Sequence, residues 1–219
     1  MISSINVVPC GPVDAEPSRW SIVIPFKGTA SAKSRLGPGH NGPGLAKAFL
    51  LDVLAAVHGS PAVARVVVVS ANAAIGSQAA VDVLSDTGGG LNESVQAGVG
   101  WMRCRAPRSP VAVVLADLPS LRSHEVTQAL ALASQHPRAF VPDSTGFGTT
   151  MITLAPSVDF AARFGSQSAA AHFAAGFVRV EVPSSSGLRR DVDTPQDLAS
   201  LLCPGINTTA FLRGDDCRG

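Results

Sequence analysis

The sequence predicts one α/β domain with a mainly parallel sheet flanked by helices. Strand-like and helix-like segments alternate along most of the 219 residues, the mark of βαβ units rather than of segregated strands and helices. One strand-like segment, Val111–Ala116, is apolar without interruption. That pattern belongs to a strand buried on both faces near the centre of a parallel sheet. No internal repeat or linker divides the chain, so residues 20–202 are expected to form the domain, with 1–19 a flexible leader and 203–219 a loose C-terminal tail.

Trp20–Phe26 (WSIVIPF) reads as the first strand. Lys27–Gly44 is a long loop in which glycines, prolines and small residues are interspersed with Lys27, Lys33, Arg35 and His40. Loops longer than about 12 residues are usually functional or disordered. Leu45–His58 has helical apolar spacing and stops at Gly59-Ser60-Pro61. Val66–Ser70 is a strand, Ala73–Ala80 a short helix and Val81–Leu84 a short strand. The turn SDTGGGLN follows; its glycines reach backbone angles closed to other residues, and Leu91–Arg103 is the helix after it. Beyond the central strand come a helix at His124–Gln135, a strand at Ala139–Pro142, the turn DSTGFGTT and a strand at Met151–Leu154, the last pair suggesting an antiparallel insertion. A helix opening near Ser166–Ser168, a strand at Phe177–Val182 and a helix capped by Thr194, with Pro195 at its first position, complete the pattern.

Composition excludes several classes. Lys and Arg number 17 against 16 Asp and Glu, for a formal charge of +1. Such a balance provides no broad basic field for nucleic acid or a membrane surface, so any anion site is local. Tyrosine is absent and aromatics are 5%, too few to build stacking platforms for single-stranded nucleic acid. Cys10, Cys104, Cys203 and Cys217 form no C-x-x-C pair, which argues against a zinc site or a disulfide framework. There is no signal-peptide pattern and no apolar run near the ~20 residues of a membrane span, so a cytoplasmic location is expected.

The chemistry-bearing residues fall at segment ends. Pro119 has no ladder donor, so the central strand should end near Asp117, and the carboxyl edge of an open α/β sheet is where ligands bind. A plain helix cap is the other reading of Asp117. Asp191 and Asp193 are two apart and project to one side of an extended chain. Three such acids suit Mg²⁺, which takes one or two carboxylates plus substrate phosphates. The Lys27–Gly44 loop fits neither G-x-x-x-x-G-K-[ST] nor G-x-G-x-x-G; it either cradles a polyphosphate with backbone N–H groups and cations or is a flexible basic surface loop. Gly88–Gly90 with Asn92 either reads a purine edge or makes a plain turn. Thr149 and Thr150 offer hydroxyls to a phosphate or carboxylate. Ser166 and Ser168 mark either a helix-dipole anion site or ordinary capping. Together the pieces suit phosphoryl or nucleotidyl transfer.

The segments VIPFKGTASAKSRL, GGGLNESV, VLADLPSL, FVPDSTGFGTT, RFGSQSAAAH and GLRRDVDTP, in that order, resemble the CofC/FbiD family. These are guanylyltransferases of deazaflavin coenzyme F-420 biosynthesis. The resemblance runs from about Trp20 to Leu201 and implies a nucleotide-diphospho-sugar transferase (GT-A-like) fold. The implied reaction joins GMP from GTP to a three-carbon phosphorylated acid, phosphoenolpyruvate first and 2-phospho-L-lactate second, with release of pyrophosphate. The implied roles are Asp117, Asp191 and Asp193 as Mg²⁺ ligands, with two ions when GTP is bound. Thr149, Gly165 and Ser168 would hold the acid. Lys27, Lys33 and Arg35 would hold the triphosphate as catalytic cations, and Gly90, Leu91 and Asn92 would lie near the base. A downstream transferase would accept the unstable diphosphate product. Three positions depart from the family pattern: SDTGGG replaces a D-P-G type of turn, Phe147 replaces a small hydroxyl residue, and Gly44–Leu45 stand where an arginine is common. The alternatives are a related nucleotidyltransferase acting on 3-phosphoglycerate, a sugar phosphate or molybdopterin, or a nucleotide-binding regulator without turnover. The first lacks its usual L-A-G-G type of loop here, and the second has no need of all three acids.

Overall fold

The computed structural model describes residues 19–28, 42–86 and 88–214. Seven strands form one sheet: β1 (Trp20–Pro25), β2 (Val63–Ser70), β3 (Asp82–Ser85), β4 (Val111–Val114), β5 (Arg138–Pro142), β6 (Thr149–Leu154) and β7 (Val178–Arg179), in the order β3-β2-β1-β4-β6-β5-β7. All pairings are parallel except those of β6, which runs antiparallel to β4 and β5. The expected antiparallel insertion is therefore the β5–β6 hairpin. The helices are α1 (Gly42–His58), α2 (Ala74–Ala79), α3 (Leu91–Arg105), α4 (Ser123–Ala133), α5 (Ser168–Ala174), α6 (Pro195–Ala199) and α7 (Ile206–Leu212).

β4 is the fourth of seven strands, and its side chains alternate between two cores. Ala112 and Val114 pack with Leu50, Val53 and Leu54 of α1 and with Val126 and Leu130 of α4. Val111 and Val113 pack on the opposite face with Val95, Val99 and Met102 of α3. Burial on both faces is why this strand is apolar throughout rather than alternating. Helices thus cover both sides of the sheet, and the buried area on each face is the main favourable term in its stability.

Several boundaries differ from the sequence expectation. β4 stops pairing as a strand at Val114, three residues short of Asp117. α1 starts at Gly42, so Pro43 and Gly44 lie in its first turn rather than in the loop; proline is suited there because the first-turn N–H groups have no intrahelical partner. β7 is reduced from Phe177–Val182 to Val178–Arg179. Its neighbour β5 ends at Pro142, which brings no N–H to a longer ladder. The expected loose tail carries α7, docked by its N-terminus. Buried Asp52 of α1 accepts from Asn207 N (3.0 Å), Asn207 Nδ2 (2.8 Å) and Thr208 N (2.9 Å). Gly205 N donates to Pro119 O at 2.7 Å. A cap supplied from 155 residues away leaves no local trace in the sequence.

Candidate active site

The topology carries the functional side chains to one edge. The parallel strands β1, β2, β3 and β4 all end there, which brings Lys27, the Gly88–Gly90 turn and Asp117 to the same side. β5 runs with them, so its end brings Asp143; β6 runs against them, so its start brings Thr149. Chain order reverses between β1 and β4. The crevice outside a reversal point of this kind is the ordinary ligand site of an open α/β sheet, and Asp117 follows β4 at that point.

The later acids are tied to Asp117 through the backbone. Val192 N donates to Asp117 O at 3.0 Å, setting Asp191 and Asp193 on either side of the residue that pairs with Asp117. Val192 is buried against Leu45 and Phe49 of α1, which turns its two neighbours away from the core, as alternation in extended chain requires. Gly187 makes this approach feasible: a Cβ there would lie 2.2 Å from Ser120 O, and Gly187 N donates to Glu125 Oε1 at 2.9 Å. Thr194 caps α6 in a reciprocal pair with Asp197, and Pro195 sits in the first turn, as expected. Asp143 joins the group, its carbonyl held by Arg189 Nε (3.2 Å) and Nη2 (2.9 Å). Burial, then the charges of Asp117, Asp143 and Asp193, push the Asp191 carboxyl up to about 7.

The group is electrostatically one cluster. Among the described residues, however, no group of three or more His, Cys, Asp or Glu side chains is arranged to hold a metal ion by itself. This open arrangement fits an ion that takes one or two carboxylates and finds its other oxygens on phosphate and water. Four acids acting on one another without a cation also fit it, since opposite charge is what would return Asp191 to its ordinary ionised form.

The hydroxyl side of the site lies on β6 and α5. Thr149 is buried, with Oγ1 3.0 Å from His172 Nδ1. Ser168, also buried, opens α5; its N–H bonds Gly165 O (3.1 Å), and Ala169 N bonds Phe147 O (3.0 Å). Two of the first amides of α5 are thus satisfied by main-chain carbonyls, and no side chain caps this helix. Gly165, at φ +139°, holds a backbone shape that other residues rarely adopt.

A family model described as guanylyl transferase CofC like matches residues 20–214. The chain belongs to this family. It is 44% identical over 195 residues to the phosphoenolpyruvate guanylyltransferase of Streptomyces coelicolor, a match covering 86% of this chain and 92% of that one. Two solved structures share its fold at lower identity. A nucleotide-diphospho-sugar transferase structure from Desulfovibrio desulfuricans has a TM-score of 0.67 at 19% identity and covers 91% of this chain and 96% of its own. Rv0371C of Mycobacterium tuberculosis, solved in complex with manganese, has a TM-score of 0.58 at 17% identity, covering 84% and 98%. The expected GT-A-like architecture is therefore the observed one.

Within this CofC-like chain, the remaining expected residues are placed as follows. Gly88 (φ +88°) and Gly90 (φ +102°) take the left-handed angles expected of the turn, and Gly90 immediately precedes α3, which starts at Leu91. Asn92 binds the main chain of Phe164: its Nδ2 donates to Phe164 O (3.1 Å) and its Oδ1 accepts from Phe164 N (2.8 Å). It clips the Arg163–Gly165 segment to α3 and so links the turn to the hydroxyl side. Phe147 points to solvent and contributes its carbonyl to α5. Lys27 is exposed at the end of β1, while Lys33 and Arg35 lie outside the described residues. Sequence reasoning missed Asp143 and His172. Asp143 was within reach, because it follows β5 at the same edge as Asp117 follows β4. Among the described residues no helix is long and apolar enough to cross a membrane, and the described cysteines Cys104 and Cys203 are exposed thiols.

Proposed function

We propose that this chain transfers GMP from GTP to phosphoenolpyruvate, with release of pyrophosphate, as a cytoplasmic step in the assembly of the deazaflavin coenzyme F-420. Membership of the CofC-like family and the 44% identity to a phosphoenolpyruvate guanylyltransferase support the reaction class and acceptor. The observation that supports the reading is the Asp117–Val192 backbone bond, which brings the Asp191–Asp193 segment alongside Asp117 at the strand reversal. Lys27, with Lys33 and Arg35, would take the triphosphate. Gly90 and Leu91 would approach the base through their main chain. Thr149 and Ser168, with Gly165 between β6 and α5, would hold the phosphorylated acid with its phosphate turned to the α-phosphorus. Asp117, Asp191 and Asp193 would hold Mg²⁺, as one or two ions, which when bound neutralises the phosphate oxygens and lowers the cost of bringing two anions together. The chain's own share is positioning and charge compensation; no general base is required of it. The product is a mixed diphosphate suited to a second transferase that consumes it.

The test is the mass of the product formed from GTP with phosphoenolpyruvate, 2-phospho-L-lactate or 3-phosphoglycerate in turn. The expected result is pyrophosphate release only when GTP, Mg²⁺ and an acceptor are all present, and fastest with phosphoenolpyruvate. Release with none of the three acids would overturn the proposal.

A further inference from the structure

The group beside the site that the proposed reaction leaves without a task is His172. It is completely buried on α5, and its ring is enclosed by Phe164 and Phe177 at 5.2 Å and by Phe140 at 6.1 Å between centroids. Its two nitrogens differ. Nδ1 lies 3.0 Å from Thr149 Oγ1, whereas Nε2, among the described residues, has no hydrogen-bond partner.

We propose that His172 is a positioning residue, carrying its proton on Nδ1 and donating it to Thr149 Oγ1, so that the Thr149 hydroxyl is held as a donor for the acid substrate. This rests on the reading above that Thr149 faces the acid. A neutral imidazole has one donor and one acceptor nitrogen. With the proton on Nε2, a donor would be buried among phenyl rings without an acceptor, the rarer and costlier kind of orphan. With the proton on Nδ1, only a lone pair is left there. Burial, and then the charge of Arg163, lower the His172 pKa to about 4, which keeps the ring uncharged at neutral pH.

The consequence lies at the Thr149 hydroxyl. Because Oγ1 accepts from His172, its own proton is not spent on the ring. Phosphate and carboxylate oxygens only accept, so a hydroxyl fixed as donor before the substrate arrives is the useful form. The β-branched side chain restricts χ1, and the accepted bond from the ring fixes the remaining rotor.

The direct test is a two-bond ¹H–¹⁵N spectrum of the full chain labelled at histidine nitrogen, with the His172 signals assigned by their loss in His172→Asn. The expected result is the Nδ1–H tautomer, uncharged from about pH 8 down to about pH 5, above its lowered pKa. An Nε2–H tautomer, its proton on the face of a neighbouring phenyl ring, overturns the proposal. Kinetics give a second reading. His172→Phe fills the space without a donor, and His172→Asn returns an amide donor near the Nδ1 position. The Phe variant should raise KM for phosphoenolpyruvate about tenfold, the value of one hydrogen bond to an anion. Its kcat and its KM for GTP should stay within about twofold, and the Asn variant should recover most of the loss. Equal damage in both variants, spread over both substrates, is the result of a purely structural role and also overturns the proposal. The spectrum is read without substrate, so a wild-type chain that releases no pyrophosphate would count against the transfer reaction alone.

Discussion

The two halves of the site meet the same physical problem and resolve it in opposite ways. On the carboxylate side, burial first, and then the like charges of Asp117, Asp143 and Asp193, raise Asp191 to about 7. On the hydroxyl side, burial first, and then the charge of Arg163, lower His172 to about 4, and its ring is surrounded by phenylalanines. Desolvation is the first cause in both and disfavours the charged form in both. What differs is the remedy each permits. A cation placed among the acids relieves their repulsion, so the carboxylate side is unstable as it stands and improved by a ligand. His172 is fully buried among phenylalanines and stays neutral down to about pH 4. One half waits for charge, and the other is fixed in advance to present neutral donors.

The largest expected effect comes from Asp117→Asn, which removes charge at the strand reversal. Loss of the metal ligand proposed at Asp117 is worth several kcal/mol of transition-state stabilisation, so activity should fall about 10³-fold or more, with an unchanged circular dichroism spectrum. A nucleotide-binding regulator would instead lose affinity only. Asp191→Asn should sharpen the comparison, because it removes activity while stabilising the metal-free fold. Asp191 has a folded pKa near 7 against 3.8 unfolded, so the folded state binds the extra proton and stability falls as pH rises from about 4 to about 7. Relieving about 3 units is at most about 4 kcal/mol, or about 2–4 °C of Tm per kcal/mol in a chain of this size. Differential scanning calorimetry at pH 8 without metal should show a higher Tm for the variant; a lower one would break the account of this half.

His172 gives the opposite slope. Its folded pKa near 4 lies below the ordinary 6.5, so the unfolded chain binds the extra proton and stability is lost as pH falls from about 6.5 to about 4, by up to about 3 kcal/mol. Over that window the two groups offset each other in the wild type. Asp191→Asn should therefore expose steep acid destabilisation, and His172→Phe should expose a gain of stability on acidification. Urea midpoints at pH 4.5 and pH 6.5 separate the two, and equal shifts in both variants would contradict the contrast. The smallest effect is expected outside both halves: Asp52→Ala, which uncaps α7, should cost about 1–2 kcal/mol in urea denaturation and leave kcat and KM nearly unchanged.

The fold was legible wherever local pattern and burial agree. The apolar run Val111–Ala116 marked the central strand because both of its faces are covered. The Asp191-x-Asp193 spacing pointed to paired acids because Val192 between them is a core residue. Asp143 was legible by the same strand-end rule that found Asp117, although the Arg189 clamp on its carbonyl was not. His172, Asn92 and the α7 cap were beyond sequence reasoning for one reason: each takes its meaning from a partner distant in the chain. Thr149 is 23 residues from His172, Phe164 is 72 from Asn92 and Asn207 is 155 from Asp52.

The cation site proposed at the sheet edge depends on the acids around Asp191. Electron paramagnetic resonance of Mn²⁺ binding, on the wild type and Asp191→Asn with GTP present, tests it most directly when run at pH 6 and pH 8. A proton and a cation compete for the same carboxylates, so wild-type affinity should rise about tenfold across this interval, and the variant should bind weakly at both values. Affinity independent of pH and unchanged by the substitution would place the metal elsewhere and contradict the account.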